Sequence, residues 1–377
     1  MNASVRELTH RERFNRLFDG DPVDRAPFLD YMGKCNYRSC LARWKTEGLS
    51  PEADGDEVVR LMGFDYCRGY FLAVKPLVFP EFEAQFVKNE GGRIYRRNKW
   101  GALEVNLDGG ELMPITLEGP VRDRHSWNAI KERLRPGGRA RFPAGFADMC
   151  EEAEKSGLPI YAGDLPVGFF GGPRELCGFD NLIYMFYDDR DLLSEILDTL
   201  CDLWIEIYSE VQKFVKLDYF FIWEDMCCKT GPLIGPALFL EFLLPRYRRF
   251  TSSLRAGGCR HIVVDSDGDE RPLAPLWIEG GVNIVFPWET QFGLDITEVR
   301  RQYPDMGIIG GLDKHALERT RGDMDRELAK VPHMLERGRY IPCCDHGVTN
   351  MVSWDNYRYF YEKLRELVYN YAPKYNV

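Results

Sequence analysis

No stretch of this sequence reaches the ~20 consecutive apolar residues that a membrane span needs. The opening residues, MNASVRELTHRERFNRLF, also lack the apolar run of a secretory signal. Both absences give the expectation of a cytoplasmic protein with no membrane partner. Positive charge is short as well. With 49 Lys and Arg against 59 Asp and Glu, the formal net charge is −10, the wrong sign for nucleic acid. The eleven cysteines lack CxxC spacing and twice stand adjacent, at Cys227-Cys228 and Cys343-Cys344. That pattern excludes a secreted disulfide framework and reads as buried reduced thiols. GFFGGP, residues 168–173, lacks the Lys-Ser/Thr of a phosphate loop and reads as a turn with close backbone approach. Tandem repeats, low-complexity tracts and linkers are missing too.

What is present is a core. Hydrophobic residues make up 45% and charged residues 29%, the balance of a globular protein, and 1–377 reads as one large domain. Eight short apolar or β-branched runs are bounded by turn residues: 27–32, 66–71, 159–163, 219–224, 261–266, 283–288, 307–311 and 339–344. Helical periodicity fills most gaps. Leu192, Leu193, Ile196, Leu200, Leu203, Trp204, Ile207 and Val211 recur at three and four behind an N-cap candidate, Asp189. Tyr357, Phe360, Tyr361, Leu364 and Leu367 repeat the pattern at the end of the chain. Eight strands alternating with helices predict an α/β fold, a (β/α)8 TIM barrel. A β-hairpin around Glu90-Gly91-Gly92, residues 80–106, is expected as an insertion between strands 2 and 3.

A barrel carries its chemistry at the carboxyl ends of its strands. There the sequence offers Asp30, Tyr31, Arg68, Asp164, Trp223-Glu224-Asp225, Asp265, Asp267, Trp288-Glu289, Asp313 and Cys344-Asp345-His346. HIVVDSDGD, residues 261–269, runs a strand straight into three aspartates, with Glu270 next. Like charges at ~4 Å repel by roughly 4 kcal/mol at an effective dielectric of about 20, so something must compensate them. Water, an arginine such as Arg271, a proton and a metal ion are the candidates. Asp269 reads as the N-cap of a helix beginning near Glu270.

Five segments then point to a family: THRERFNRLFDGDPVDRAPFLDYMG near the start, GFD at 63–65, GGP at 171–173, GGLDK at 310–314 and DHGVTNMVSWDNY at 345–357. In order and spacing they resemble the uroporphyrinogen decarboxylase superfamily, which includes corrinoid-dependent methyltransferases and, more distantly, cobalamin-independent methionine synthase. The resemblance implies a TIM barrel. It does not imply decarboxylation of uroporphyrinogen, because DYMGKCNYRS stands where the decarboxylase has an arginine-rich RQAGRY-like segment. CRGYFLAV likewise stands where it has its pyrrole-binding aspartate.

The methyltransferase branch implies zinc held by His-x-Cys and a further Cys. At the matching strand ends this chain has Asp265-x-Asp267, Glu289 and His346. Oxygen and imidazole donors form a harder set than thiolates and suit an ether or alcohol oxygen. The resemblance therefore implies a metal, zinc by preference, on Asp267, Glu289 and His346. Asp265 would be a fourth or supporting carboxylate and Cys344 a reserve. Tyr31, Tyr70, Phe169, Phe170, Trp223 and Trp288 are candidates for an apolar substrate pocket. Glu224, Asp225 and Asp265 are the candidate catalytic acids. The expected activity is methyl transfer from a small methoxylated aromatic, the methyl donor, to a corrinoid (cobalamin) on a separate partner protein, an O-demethylase reaction. Self-association into a homodimer is allowed. A metal-assisted hydrolase, a small-acid decarboxylase and a non-catalytic docking protein are the alternatives.

Overall fold

The structure, a computed structural model, describes residues 7–30, 38–107 and 114–372. Its centre is a seven-stranded parallel sheet: β1 (Tyr70–Phe71), β2 (Ile160–Gly163), β3 (Tyr219–Trp223), β4 (His261–Asp265), β5 (Ile284–Phe286), β6 (Gly307–Ile309) and β7 (Tyr340–Ile341). Spatial order follows chain order, as strand–helix–strand units require. β3 has every residue buried and β4 all but its last, which is why their sequences run apolar without alternation, as strands covered on both faces do.

Helices form the cover. Arg190–Val211 buries its periodic leucines and Trp204, and Asp189 caps it by accepting from the Leu192 amide. Trp354–Asn370 buries Tyr357, Phe360, Tyr361 and Leu364 behind a Ser353 cap. At the start of the chain, Thr9 and Glu12 form a reciprocal capping box for His10–Asp19. No helix among the described residues is long and apolar enough to cross a membrane.

Two expectations change. Among the described residues the segment 27–30 forms no strand, so the hydrogen-bonded ladder is open between β7 and β1. The segment still lies buried in that gap. The Phe28 amide donates to Asp65 ahead of β1, while Asp30 accepts from the Tyr357 hydroxyl of the final helix. The expected hairpin is also too small. Residues Gln85–Glu90 and Arg93–Arg97 pair across Gly91-Gly92, and Leu103–Leu107 and Ile115–Glu118 extend them to a four-stranded antiparallel sheet. This meander lies between β1 and β2.

Register places the site. Trp223 pairs with Asp265, and Asp265 with Phe286, so β3, β4 and β5 end level. The residues that follow them therefore share one rim.

Candidate functional site

Three non-glycine residues on that rim have left-handed backbones: Asp164 (φ 70°), Asp225 (φ 44°) and Trp288 (φ 56°). Such conformations cost of order 1–3 kcal/mol each and gather where a site holds its geometry against local preference. They turn the chain sharply after β2, β3 and β5.

At the fourth strand end the acids meet. Burial, with the Asp267 carboxylate adding to it, pushes Asp265 well above its ordinary value. Glu289 is raised for the same two reasons, though one of its oxygens accepts from the Gly268 amide at 2.8 Å. His346 places Nε2 3.6 Å from Asp267 Oδ2, and that partner raises its pKa. The Gly347 amide donates to its Nδ1 at 2.7 Å, which fixes the proton of the neutral ring on Nε2. Coordination through Nε2 would shift this proton to Nδ1 and release Gly347.

Glu270 is the residue that sequence reasoning missed. Its side chain is fully buried, and neither oxygen has a well-formed hydrogen bond among the described residues. Burial holds its pKa well above the ordinary value, Asp265, Asp267 and Glu289 add to the shift, and the Trp288 backbone relieves it only in part. The expected helix does not begin there. It starts at Ala274, and Asp269 clasps Arg271 (2.7 and 2.8 Å) instead of capping. The signal available was the extra acid beside DSDGD itself.

This donor set fits a hard divalent cation in charge: four carboxylates and an imidazole, with one buried carboxylate unsatisfied. Among the described residues no three such side chains are already drawn around a single point. Cys344 is set apart. It is buried against the Tyr361 hydroxyl, and burial raises its thiol far above the thiolate range.

The other candidates divide sharply. Glu224 is fully buried and accepts from the Phe169, Phe170 and Gly171 amides (2.8, 2.6 and 3.0 Å) and from the Tyr247 hydroxyl. With its oxygens so engaged, it secures the 169–171 turn and has no free path to a substrate. Phe169 packs on Trp204, Tyr247 and Phe250, and Phe170 and Trp288 are fully buried, so these three belong to the core and not to a pocket wall. Tyr31 lies outside the described residues. Tyr70 donates to Glu152 away from the acids.

Trp223 and Asp225 are brought together. Arg174 lies 4.7 Å over the indole and donates to Asp225 at 2.7 Å. A second pair, Arg68 to Asp164 at 2.6 Å, completes the rim. Beside His346, Asp345 takes hydrogen bonds from Thr290 and Lys314 (2.8 to 3.1 Å), which ties three loops into one wall.

A parallel sheet of consecutive strands with its acids at the carboxyl rim is the architecture of barrel-type α/β proteins. The chain belongs to the uroporphyrinogen decarboxylase (URO-D) family, whose model matches residues 166–367. Its structure is similar to that of a methyltransferase from Methanosarcina mazei, at 15% identity and a TM-score of 0.59, covering 96% of this chain and 99% of that one. Likeness to a B12-independent methionine synthase from Shewanella sp. W3-18-1 is slighter: 13% identity, TM-score 0.39, 60% of this chain and 68% of that one. No curated protein matches the sequence.

Proposed function

We propose that the chain is a methyltransferase that takes a methyl group from a small methyl ether, an aromatic one by preference, and passes it to a corrinoid on a separate protein. The observation that carries this reading is the donor set at the ends of β4, β5 and β7: Asp267, Glu289 and His346, supported by Asp265 and Glu270. Its oxygen-rich, thiol-free character favours an oxygen-bearing substrate over a thiol. The fold shared with the Methanosarcina mazei methyltransferase agrees with it.

Zinc or another divalent ion on those residues would supply Lewis acidity toward the ether oxygen. The chain's own residues do the rest. Arg174 donates to Asp225 and stacks on Trp223, so this trio orients the substrate at the rim. Glu224 keeps the 169–171 turn in place beneath it. Both rim arginines are paired with aspartates, which leaves little free positive charge to grasp a tetrapyrrole with many carboxylates. We therefore do not assign uroporphyrinogen as the substrate.

Protein purified without chelator should carry about one divalent ion per chain, and Asp267→Ala, Glu289→Ala and His346→Ala should each empty the site. With a reduced corrinoid protein and a panel of aryl and alkyl methyl ethers, methylcobalamin should form in step with the demethylated product. Full metal occupancy in all three variants would sink the metal assignment. Absence of methylcobalamin across the panel with competent partners would sink the methyl-transfer reading. Coproporphyrinogen formed from uroporphyrinogen would replace it by decarboxylation.

A further inference from the structure

A cavity lies at the end of the sheet opposite the acidic rim. It has a volume of about 880 Å3, within the range of small-molecule sites. Its walls come from the helix Ile296–Gln302, the approach to β6, the helix Val331–Arg337 and the residue ahead of β7. Arg339 stands on this wall immediately before β7, whereas His346 lies beyond the other end of the same strand. The two sites therefore occupy opposite poles of the fold.

The charge here runs against that of the whole chain. Arg300, Arg301, Arg337 and Arg339 line the cavity against two acids, Glu298 and Asp305. The arginines differ in what they do. Arg300 is buried and donates to the carbonyls of Tyr303, Pro304, Met306, Gly338 and Arg339, so it fastens the floor. Arg339 is held in a left-handed backbone (φ 51°) and donates to the carbonyls of Phe18 and Asp19. Its guanidinium occupies the space where a side chain at Gly20 would stand. Its one acidic partner, Asp305, is 3.4 Å away and 89% exposed. Arg301 and Arg337 are exposed and have no ion-pair or hydrogen-bond partner among the described residues.

From two fixed and two free guanidinium groups around one roomy cavity we infer a binding site for a small organic polyanion, a molecule bearing two or more phosphate or carboxylate groups. The guanidinium fork matches both groups in paired hydrogen bonds, and several forks around one space select for multiple charge. The acidic rim offers no competing place for such a ligand. The inference is independent of the methyl-transfer reading.

Isothermal titration of the full-length protein with tripolyphosphate, ATP and citrate tests it and separates phosphate from carboxylate ligands. Saturable binding to at least one probe is expected, weakening as salt is raised because the contacts are ionic. An Arg301→Gln/Arg337→Gln double variant should bind about tenfold or more weakly, since two charged contacts to the ligand are lost. Both side chains are exposed, so the variant should keep the wild-type circular dichroism. Asp305→Asn should bind more tightly, having lost the competing carboxylate. Absence of binding to all three probes at millimolar concentration would overturn the site, as would unchanged affinity in the double variant.

Discussion

Glu224 and Glu270 sit in the loops that follow adjacent strands, both fully buried, and their surroundings could hardly differ more. Three backbone amides and a tyrosine hydroxyl converge on Glu224, whereas Glu270 faces other carboxylates with only the Trp288 backbone to offset them among the described residues. Burial of a charge therefore says little about its role until its partners are counted. A saturated carboxylate fastens the fold. An unsatisfied one among like charges stores a cost that a proton or a cation relieves.

The largest effect expected from this contrast is at the saturated site. Glu224→Ala leaves three buried amides unpaired and should cost about 3–5 kcal/mol of stability in urea unfolding. A loss under about 1 kcal/mol would break the comparison from the Glu224 side.

Next comes the cation. Zinc at about a hundred times its dissociation constant should stabilise chelator-stripped protein by about 2.7 kcal/mol. Glu270→Gln should reduce that gain by weakening zinc about 10- to 100-fold, while costing the stripped protein nothing. An identical zinc response in the variant would return Glu270 to the ranks of structural residues.

His261 sharpens the contrast, being buried at the amino end of β4 with a single carboxylate, Asp19, 3.5 Å from its Nε2 in place of a cluster of acids. Burial, helped by Arg260 and Arg255, lowers its pKa to about 3, from the ordinary 6.5 of a histidine. The unfolded chain thus binds a proton that the folded chain refuses, so stability is full above pH 6.5 and falls as the pH drops toward 3. At pH 5 this group should cost about 2 kcal/mol, and His261→Gln should flatten that part of the pH–stability curve. A slope unchanged in the variant would assign the pH response to the acids instead.

The smallest effect is at Asp225. Asn tolerates its left-handed backbone and removes only a rim ion pair, so Asp225→Asn should cost under about 1 kcal/mol in thermal unfolding. If Asp225 orients substrate, the same variant should raise KM for the methyl ether with little change in stability. A large loss of stability would make it a second Glu224.

Much of this fold was legible in the sequence because strands buried on both faces are written as plain apolar runs, and helices such as Arg190–Val211 as clean periodicity. The run at 27–32 misled because apolarity records burial, and its described part is buried without joining the ladder. The acids of the rim were legible by their position after strands. Their partners were not. Glu224 is satisfied by amides 53 to 55 residues away, a pairing no local pattern records. Phe169, Phe170 and Trp288 look alike in sequence whether they face a pocket or the core, and packing across the molecule decided for the core. Glu270 was hidden by the helix expected to follow Asp269. That helix begins only at Ala274, a turn further on.

The four-stranded meander has a mechanical consequence. It rejoins the body of the protein at Gly119, where any side chain would collide with the Leu176 carbonyl. Its last strand is also stitched to the helix Gly171–Cys177 by the Thr116 hydroxyl, which donates to Glu175. A single methyl group at position 119 would pry at that helix and, through it, at the turn that Glu224 holds shut, so the meander and the acidic rim are mechanically linked.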